Sequence, residues 1–287
     1  MKTRTVAIIQ ARMASSRLPG KVLMDLEGKP VLERVMERTL RATALDSAAL
    51  ATSMDASDNA IVEYCRTGGI RCLRGSHFDV LDRYYAAARQ LRADVVIRIT
   101  ADCPLVDPIL IDDAVYVLLG VQDVGIAVNG VGRTEFDFVA NRLPPPRHRT
   151  YPIGLDVEVC SFHALERTWR EAREPEEREH VMPYMYNGVD LIRQNSHVCT
   201  GTSPRGFRIA VLDHHEDHGT QRWTVDTADD LEFVRQVYRH FGGRSDFSWL
   251  EVLKLLESRP ELSSINADVR HKSLRDIDER APTGNGG

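Results

Sequence analysis

The sequence predicts an α/β fold with a mostly parallel central sheet covered by helices on both faces. Two observations carry this. Short β-branched runs trade places with helix-period segments through the first half of the chain. The strongest runs are apolar throughout rather than alternating, as strands buried on both sides are. The chain has 287 residues, 43% of them hydrophobic and 28% charged, which suits one large α/β domain or two small ones.

The elements follow in order. Residues 5–9 read as a buried strand. Val31, Leu32, Val35, Met36, Thr39 and Leu40 then recur at helical spacing. Residues 49–52 form a second strand and 59–66 a second helix, followed by a short strand at 70–73, a helix at 78–91 and a strongly apolar strand at 94–99. In such sheets ligands bind outside the carboxyl ends of the strands. The loops after Ile9 and Ile99 are therefore where chemistry is expected.

Residues 129–153 change character. Gly130, Gly132 and the run Pro144, Pro145, Pro146, with Arg147, His148 and Arg149 behind it, leave no period, so a long loop or lid is expected there. Beyond it, strands are expected at 155–160, 207–212 and 222–225, and helices at 162–173, 228–241 and 247–257. The reading gives one domain over 1–258 and a tail over 259–287, disordered from 281.

Composition excludes several classes. A net charge of −5 offers no global basic field for nucleic acid. No apolar run approaches the ~20 residues of a membrane span, and no secretory signal opens the chain. Five cysteines without a C-x-x-C pair indicate neither a disulfide framework nor a zinc site, but reduced thiols in a cytoplasmic protein.

The most informative stretch runs from Ile8 to Leu23. Residues 1–24 hold five basic side chains (Lys2, Arg4, Arg12, Arg17, Lys21) and no acid. A loop leaving a strand with Arg12, Arg17, Lys21, Ser15 and Ser16 has the composition to hold a polyphosphate. Pro19 and Gly20 would bend the chain so that Lys21 points back at the same anion. A solvated basic loop has the same composition, and a transit peptide is opposed by the strand at 5–9. A P-loop is excluded by spacing, because Val22 follows Gly20-Lys21 where Ser or Thr is required.

Gln10-Ala11-Arg12 followed by Arg17-Leu18-Pro19-Gly20-Lys21 resembles the nucleotide-binding signature of the sugar-acid cytidylyltransferases, which make CMP-KDO and CMP-sialic acid. The branch it resembles is the spore-coat polysaccharide biosynthesis cytidylyltransferase-like family. Further matching stretches begin at Arg74, Val80, Arg98, Gly154, Glu177 and Arg222, so the resemblance spans residues 5–257 in order.

The resemblance implies a Rossmann-like, GT-A-like nucleotidyltransferase, often a homodimer, that uses CTP with Mg²⁺ and releases pyrophosphate. It places Mg²⁺ on Asp102, after the apolar strand, and on Asp226. Read without it, Asp226 also suits the N-cap of the helix beginning near Ala228. Arg17 and Lys21 are the catalytic cations. Gln10, Ala11, Arg12, Ser15, Arg74, Arg83 and Asp102 complete the nucleotide site, with Asp82 beside Arg83.

The acceptor, a small anion such as a sugar acid or phosphonate, is expected near Asp156 and Glu158, which alternate on one strand face, and near Glu179 and His180. Paired acids with a histidine suit hydroxyl or amine recognition. Asp213-His214-His215-Glu216-Asp217-His218 fits no zinc spacing and reads as a solvated loop, with polar acceptor contacts open to it.

Departures from the family pattern are Ala14 for Gly, Ser16 for Thr, and Cys103 where KDO enzymes carry Glu. A glycosyltransferase using a nucleotide sugar is the alternative enzyme, and a nucleotide-binding module the non-enzymatic one. The first leaves the Arg12–Lys21 loop unexplained.

Overall fold

The computed structural model describes residues 3–121 and 136–270. It contains nine strands in one sheet among the described residues, in the order β3-β2-β1-β4-β6-β5-β9-β8-β7. These are β1 (Thr5–Gln10), β2 (Ser47–Ser53), β3 (Cys72–Gly75), β4 (Val95–Thr100), β5 (Phe138–Ala140), β6 (Glu158–Ser161), β7 (Ile192–Arg193), β8 (Val198–Thr202) and β9 (Arg208–Leu212). Pairing makes β3-β2-β1-β4 wholly parallel, and only β6 and β8 run against the other strands.

The period-2 geometry of a strand explains the apolar runs. Ala7 and Ile9 of β1 join one core with Leu50, Val95, Ile97 and Ile99, while Val6 and Ile8 join the other with Ala49, Ala51 and Val96. All are at most 1% exposed. The first core is closed by α1 (Val31–Thr39), α4 (Pro108–Leu119), α8 (Ala228–His240) and α9 (Trp249–Ser258). The second is closed by α3 (Val80–Leu91), α5 (Phe162–Glu171) and α7 (Pro183–Tyr186), with the polar helix α6 (Pro175–His180) packed on α3. Helix α2 (Asn59–Thr67) packs on β3 at the sheet's end.

Several expectations are corrected. The expected loop over 129–153 contains β5, whose three residues are fully buried between β6 and β9; residues 129–135 lie outside the described residues. The expected strand at 222–225 is reduced to one bridge, Ile153 to Arg222, because Trp223 and Thr224 turn to pack on Gly154. Gly154 has φ of +105°, and a Cβ there would stand 2.5 Å from the Thr224 nitrogen, so only glycine fits. The tail is ordered further than its lost period suggests: Pro260–Ser264 form a 3₁₀ turn, and Leu262 and Asn266 are buried. The stretch 281–287 lies outside the described residues. No helix among the described residues is long and apolar enough to cross a membrane.

Helix α4 carries a titration that reports on the fold. Burial first, and then Asp112 and Asp107, push the Asp113 carboxyl up to about 6. Between its unfolded value of about 3.9 and 6, only the unfolded chain ionises, so this group lowers stability as pH rises through that window. Asp113→Asn is expected to raise the unfolding free energy measured by urea titration at pH 8 by on the order of 1 kcal/mol, and to leave it unchanged at pH 3.5. Equal effects at both pH values would contradict the assignment.

Candidate active site

Strand order places a crevice. The chain leaves β1 for β2 and β3 on one side and returns to β4 on the other, so the crossovers diverge between β1 and β4. That divergence opens a cleft at the carboxyl ends. A cavity of about 190 Å³ lies there, lined by Gln10, Arg12, Ser15, Ser16, Arg17, Lys21, Val22, Thr100, Ala101, Asp102 and Asp226. A larger, more open depression of about 440 Å³ lies between α1 and residues 243–246. Its charges are largely paired with one another, Lys29 with Glu37 and Arg244 with Asp246. Convergence of carboxylates and cations at the crossover decides for the smaller cavity.

The loop after β1 is folded back on itself. Gly20 and Ser15 both donate from their backbone nitrogens to the Met13 carbonyl, and Met13 itself donates to buried Asp58 at 2.7 Å. Gly20 has φ of +73°, the left-handed bend expected of the Pro-Gly pair, and Lys21 follows in a 3₁₀ turn. Lys21 thereby points back into the crevice. Ala11 is buried and donates to the Ala51 carbonyl, fixing the start of the loop. Gln10 Oε1 is buried without a hydrogen-bond partner among the described residues.

Lys21 Nζ lies 2.7 Å from Asp102 Oδ2 and 2.7 Å from Asp226 Oδ1. The two carboxylates are brought together by the backbone, since Val225 N and Thr224 Oγ1 both donate to the Asp102 carbonyl. Asp226 Oδ2 accepts from Arg222 Nη2 at 2.6 Å and is paired with Arg17 Nη2 at 2.8 Å. Burial alone would raise the Asp226 pKa, but Lys21, Arg17 and Arg222 outweigh it and hold the group down at about 2. Burial alone would lower the Lys21 pKa, and the same two carboxylates outweigh it and raise it. The N-cap alternative for Asp226 is overturned: Thr227 caps α8, in a reciprocal capping box with Asp230.

The donor set suits one divalent cation of the magnesium type. Asp102 and Asp226 offer hard oxygens close enough to share a single ammonium, and no group of three or more metal-ligating side chains exists among the described residues. Mg²⁺ is commonly held by one or two carboxylates, with water and phosphate completing its shell.

The other expected site residues fall on either side. Arg74 donates to the Ser53 and Asp55 carbonyls and to Asn59, bracing the loop after β2. Arg83 is buried and donates to the Ser76 and His77 carbonyls, bracing the turn after β3. Neither arginine lines the cavity, because each guanidinium is spent on backbone carbonyls of the loop it braces. Asp82 accepts from Trp169 in the helical layer. Glu179 and His180 lie in α6, which packs on α3, and neither lines the cavity.

Asp156 and Glu158 do sit at the same edge, but each is committed to arginine. Glu158 opposes Arg98 across β4 and β6 and accepts from its Nη1 at 2.5 Å. Asp156 binds Arg142 Nε at 3.1 Å and Arg149 Nη2 at 3.2 Å. The expected acidic pair is thus a cluster of three guanidinium groups and two carboxylates, which presents net positive charge. Arg142 and Arg149 were not legible as site residues, because only the pairing of β5 with β6 brings the proline-rich segment to Asp156. Cys103 lies beside this cluster. Its thiol is raised well above the ordinary value by burial, then by Asp102 and Asp156.

The histidine-rich segment is a loop exposed at His215, Glu216 and Asp217, but its ends are tied to the fold. Asp213 is buried and accepts from Arg147 and Arg193. His214 packs edge-on to Trp249 at 4.9 Å; the His214 backbone nitrogen donates to Thr150 Oγ1 and the His218 backbone nitrogen to the Thr150 carbonyl. The segment therefore clamps residues 148–151.

A family model described as cytidylyltransferase matches residues 6–239. The chain belongs to the cytidylyltransferase family. It is 34% identical to an uncharacterized protein of Methanocaldococcus jannaschii over 96% of this chain and all of that one. It is 30% identical to the spore coat polysaccharide biosynthesis protein SpsF of Bacillus subtilis, over 90% of this chain and 95% of that one. A solved cytidylyltransferase from Leptospira borgpetersenii superposes with a TM-score of 0.77 at 26% identity, covering 94% of this chain and all of that one. This cytidylyltransferase is therefore an enzyme with the nucleotidyltransferase fold that its sequence predicts.

Proposed function

We propose that the enzyme transfers CMP from Mg²⁺-bound CTP onto a small anionic acceptor, a sugar acid or a phosphonate or phosphate, and releases pyrophosphate. The observation that carries the reading is the Lys21 ammonium shared between Asp102 and Asp226 beneath a cationic loop, at the crossover between β1 and β4. Asp102 and Asp226 would hold the metal, which when bound polarises phosphoryl oxygens and offsets their charge.

The chain's own residues do the rest. Arg12, Ser15, Arg17 and Lys21 line the cavity where the triphosphate would lie, and Arg17 and Lys21 offset charge gathering on its oxygens. Gln10 Oε1 offers a buried acceptor that the nucleoside can satisfy, with the Ala11 backbone beside it. An acceptor oxygen attacks the α-phosphorus in line; the new O–P bond forms as the bond to pyrophosphate breaks. Along the carboxyl edge, β4 is followed by β6 and β5, so an acceptor beside the phosphates meets Arg142 and Arg149. Their positive excess suits an anion. By the family resemblance we further propose a homodimer in solution.

Pyrophosphate release with Mg²⁺, measured across four nucleoside triphosphates and a panel of sugar acids, sugar phosphates and phosphonates, tests the reading. CTP with one acceptor class is expected to give release, and mass spectrometry should show a CMP-acceptor product. Consumption of a nucleotide sugar without pyrophosphate would instead establish glycosyl transfer. Nucleotide binding with no turnover of any kind would point to a binding module.

A further inference from the structure

The family match ends at residue 239, yet the segment beyond α9 reaches back to the cavity. Asn266, only 5% exposed, donates from Nδ2 to the Arg222 carbonyl and to Asp230 Oδ1, each at 2.9 Å. Arg222 is clamped on Asp230 through Nε at 2.9 Å and Nη2 at 3.2 Å, and the same Nη2 reaches Asp226 Oδ2 at 2.6 Å. Asp230 is fully buried, and its Oδ2 also accepts from the Asp226 and Thr227 backbone nitrogens at 3.0 Å. Four residues later the Arg270 carbonyl accepts from Arg17 Nη1 at 3.1 Å. Two of the three cations on Asp226 are thus held by one C-terminal strap, which buried Leu262 anchors to the core.

We propose that Asn266 is a positioning residue for Asp226. By fixing Asp230 and the Arg222 backbone, it locks the guanidinium that occupies Asp226 Oδ2. The carboxylate cannot rotate, and Oδ1 stays turned toward Asp102, where a divalent cation needs it. Arg222 is the partner in direct contact with Asp226, and such partners typically govern metal affinity by about 10- to 100-fold; Asn266 acts one contact further back, through Arg222 and Asp230. The inference rests on the metal role of Asp226 proposed above.

Mn²⁺ binding followed by electron paramagnetic resonance in the presence of CTP tests it, alongside CTP binding without metal and the thermal midpoint. Asn266→Ala is expected to weaken Mn²⁺ binding by about tenfold, the lower end of the range for a direct partner, while metal-free CTP affinity stays within about twofold. The near-isosteric Asn266→Asp, which sets a carboxylate against Asp230 and the Arg222 carbonyl, is expected to weaken Mn²⁺ binding at least as much. Unchanged Mn²⁺ affinity in both variants overturns the proposal. So does equal loss of metal and metal-free nucleotide binding, or failure of both variants to fold, since either makes Asn266 purely structural. Absence of Mn²⁺ binding by the unmodified enzyme would instead refute the metal role of Asp226 itself, and the inference with it.

Discussion

Asp102→Ala is expected to lower acceptor-dependent pyrophosphate release by at least about a thousandfold at saturating CTP. A metal at a phosphoryl centre is worth several kcal/mol of transition-state stabilisation, and each 1.36 kcal/mol is tenfold in rate. The fold should survive the change. The Asp102 side chain is about a quarter exposed, and after its loss Lys21 keeps its bond to Asp226. Turnover and thermal midpoint measured on the same preparation separate the two effects. A variant with turnover within tenfold of the parent would mean that Asp102 holds no metal that matters.

Lys21→Met should produce the second large loss, about 10²- to 10³-fold in turnover, typical of removing one preorganised charge partner from a reacting oxyanion. Its stability effect has a distinctive sign. Lys21 heads the attractive interactions that overcome burial and hold Asp226 at about 2. A carboxyl depressed in the fold contributes stability above its unfolded value of about 3.9, and that contribution is lost as pH falls through 4 toward 2. Without Lys21 the Asp226 pKa rises, so the variant is less stable at pH 7 and loses less on acidification. Removing one partner of a buried pair costs up to about 3–5 kcal/mol; the lower part of that range is expected, because Arg17 and Arg222 remain on Asp226. Added Mg²⁺ should raise the thermal midpoint of the variant more than that of the parent, since it meets two carboxylates with no ammonium between them. Equal midpoint shifts would contradict a shared cation site.

The parallel half of the sheet was legible because burial on both faces writes itself as apolar runs, 5–9 and 94–99 above all. The same logic hid α4. Its sequence, Pro108–Leu119, is apolar almost all round, and a helix pressed between sheet and neighbours shows little 3.6-residue period. Strand β5 is three residues long, and β8 (Val198–Thr202) is half polar because it nears the sheet's edge. Neither length nor alternation marks such strands.

At the site, the Pro19-Gly20 bend and the aim of Lys21 followed from local chemistry. That Asp102 and Asp226 would meet on Lys21 required the family resemblance, since they lie 81 and 205 residues away along the chain. The arginines that neutralise Asp156 and Glu158 come from β4 and from the segment after β5, and only the strand order reveals them. Asp58, which anchors the loop after β1 through Met13, and Asn266, which bonds the Arg222 carbonyl, carry no sequence signal, because only the folded chain brings them to those partners.

The central claim is that the bond broken joins the α-phosphorus of CTP to pyrophosphate. The most direct test is the fate of an isotopic label on that phosphorus during turnover with Mg²⁺ and the acceptor found active. The account predicts that all label leaves CTP on the acceptor product and none in pyrophosphate. Label remaining in intact CTP, while a nucleotide sugar is consumed in its place, would contradict it.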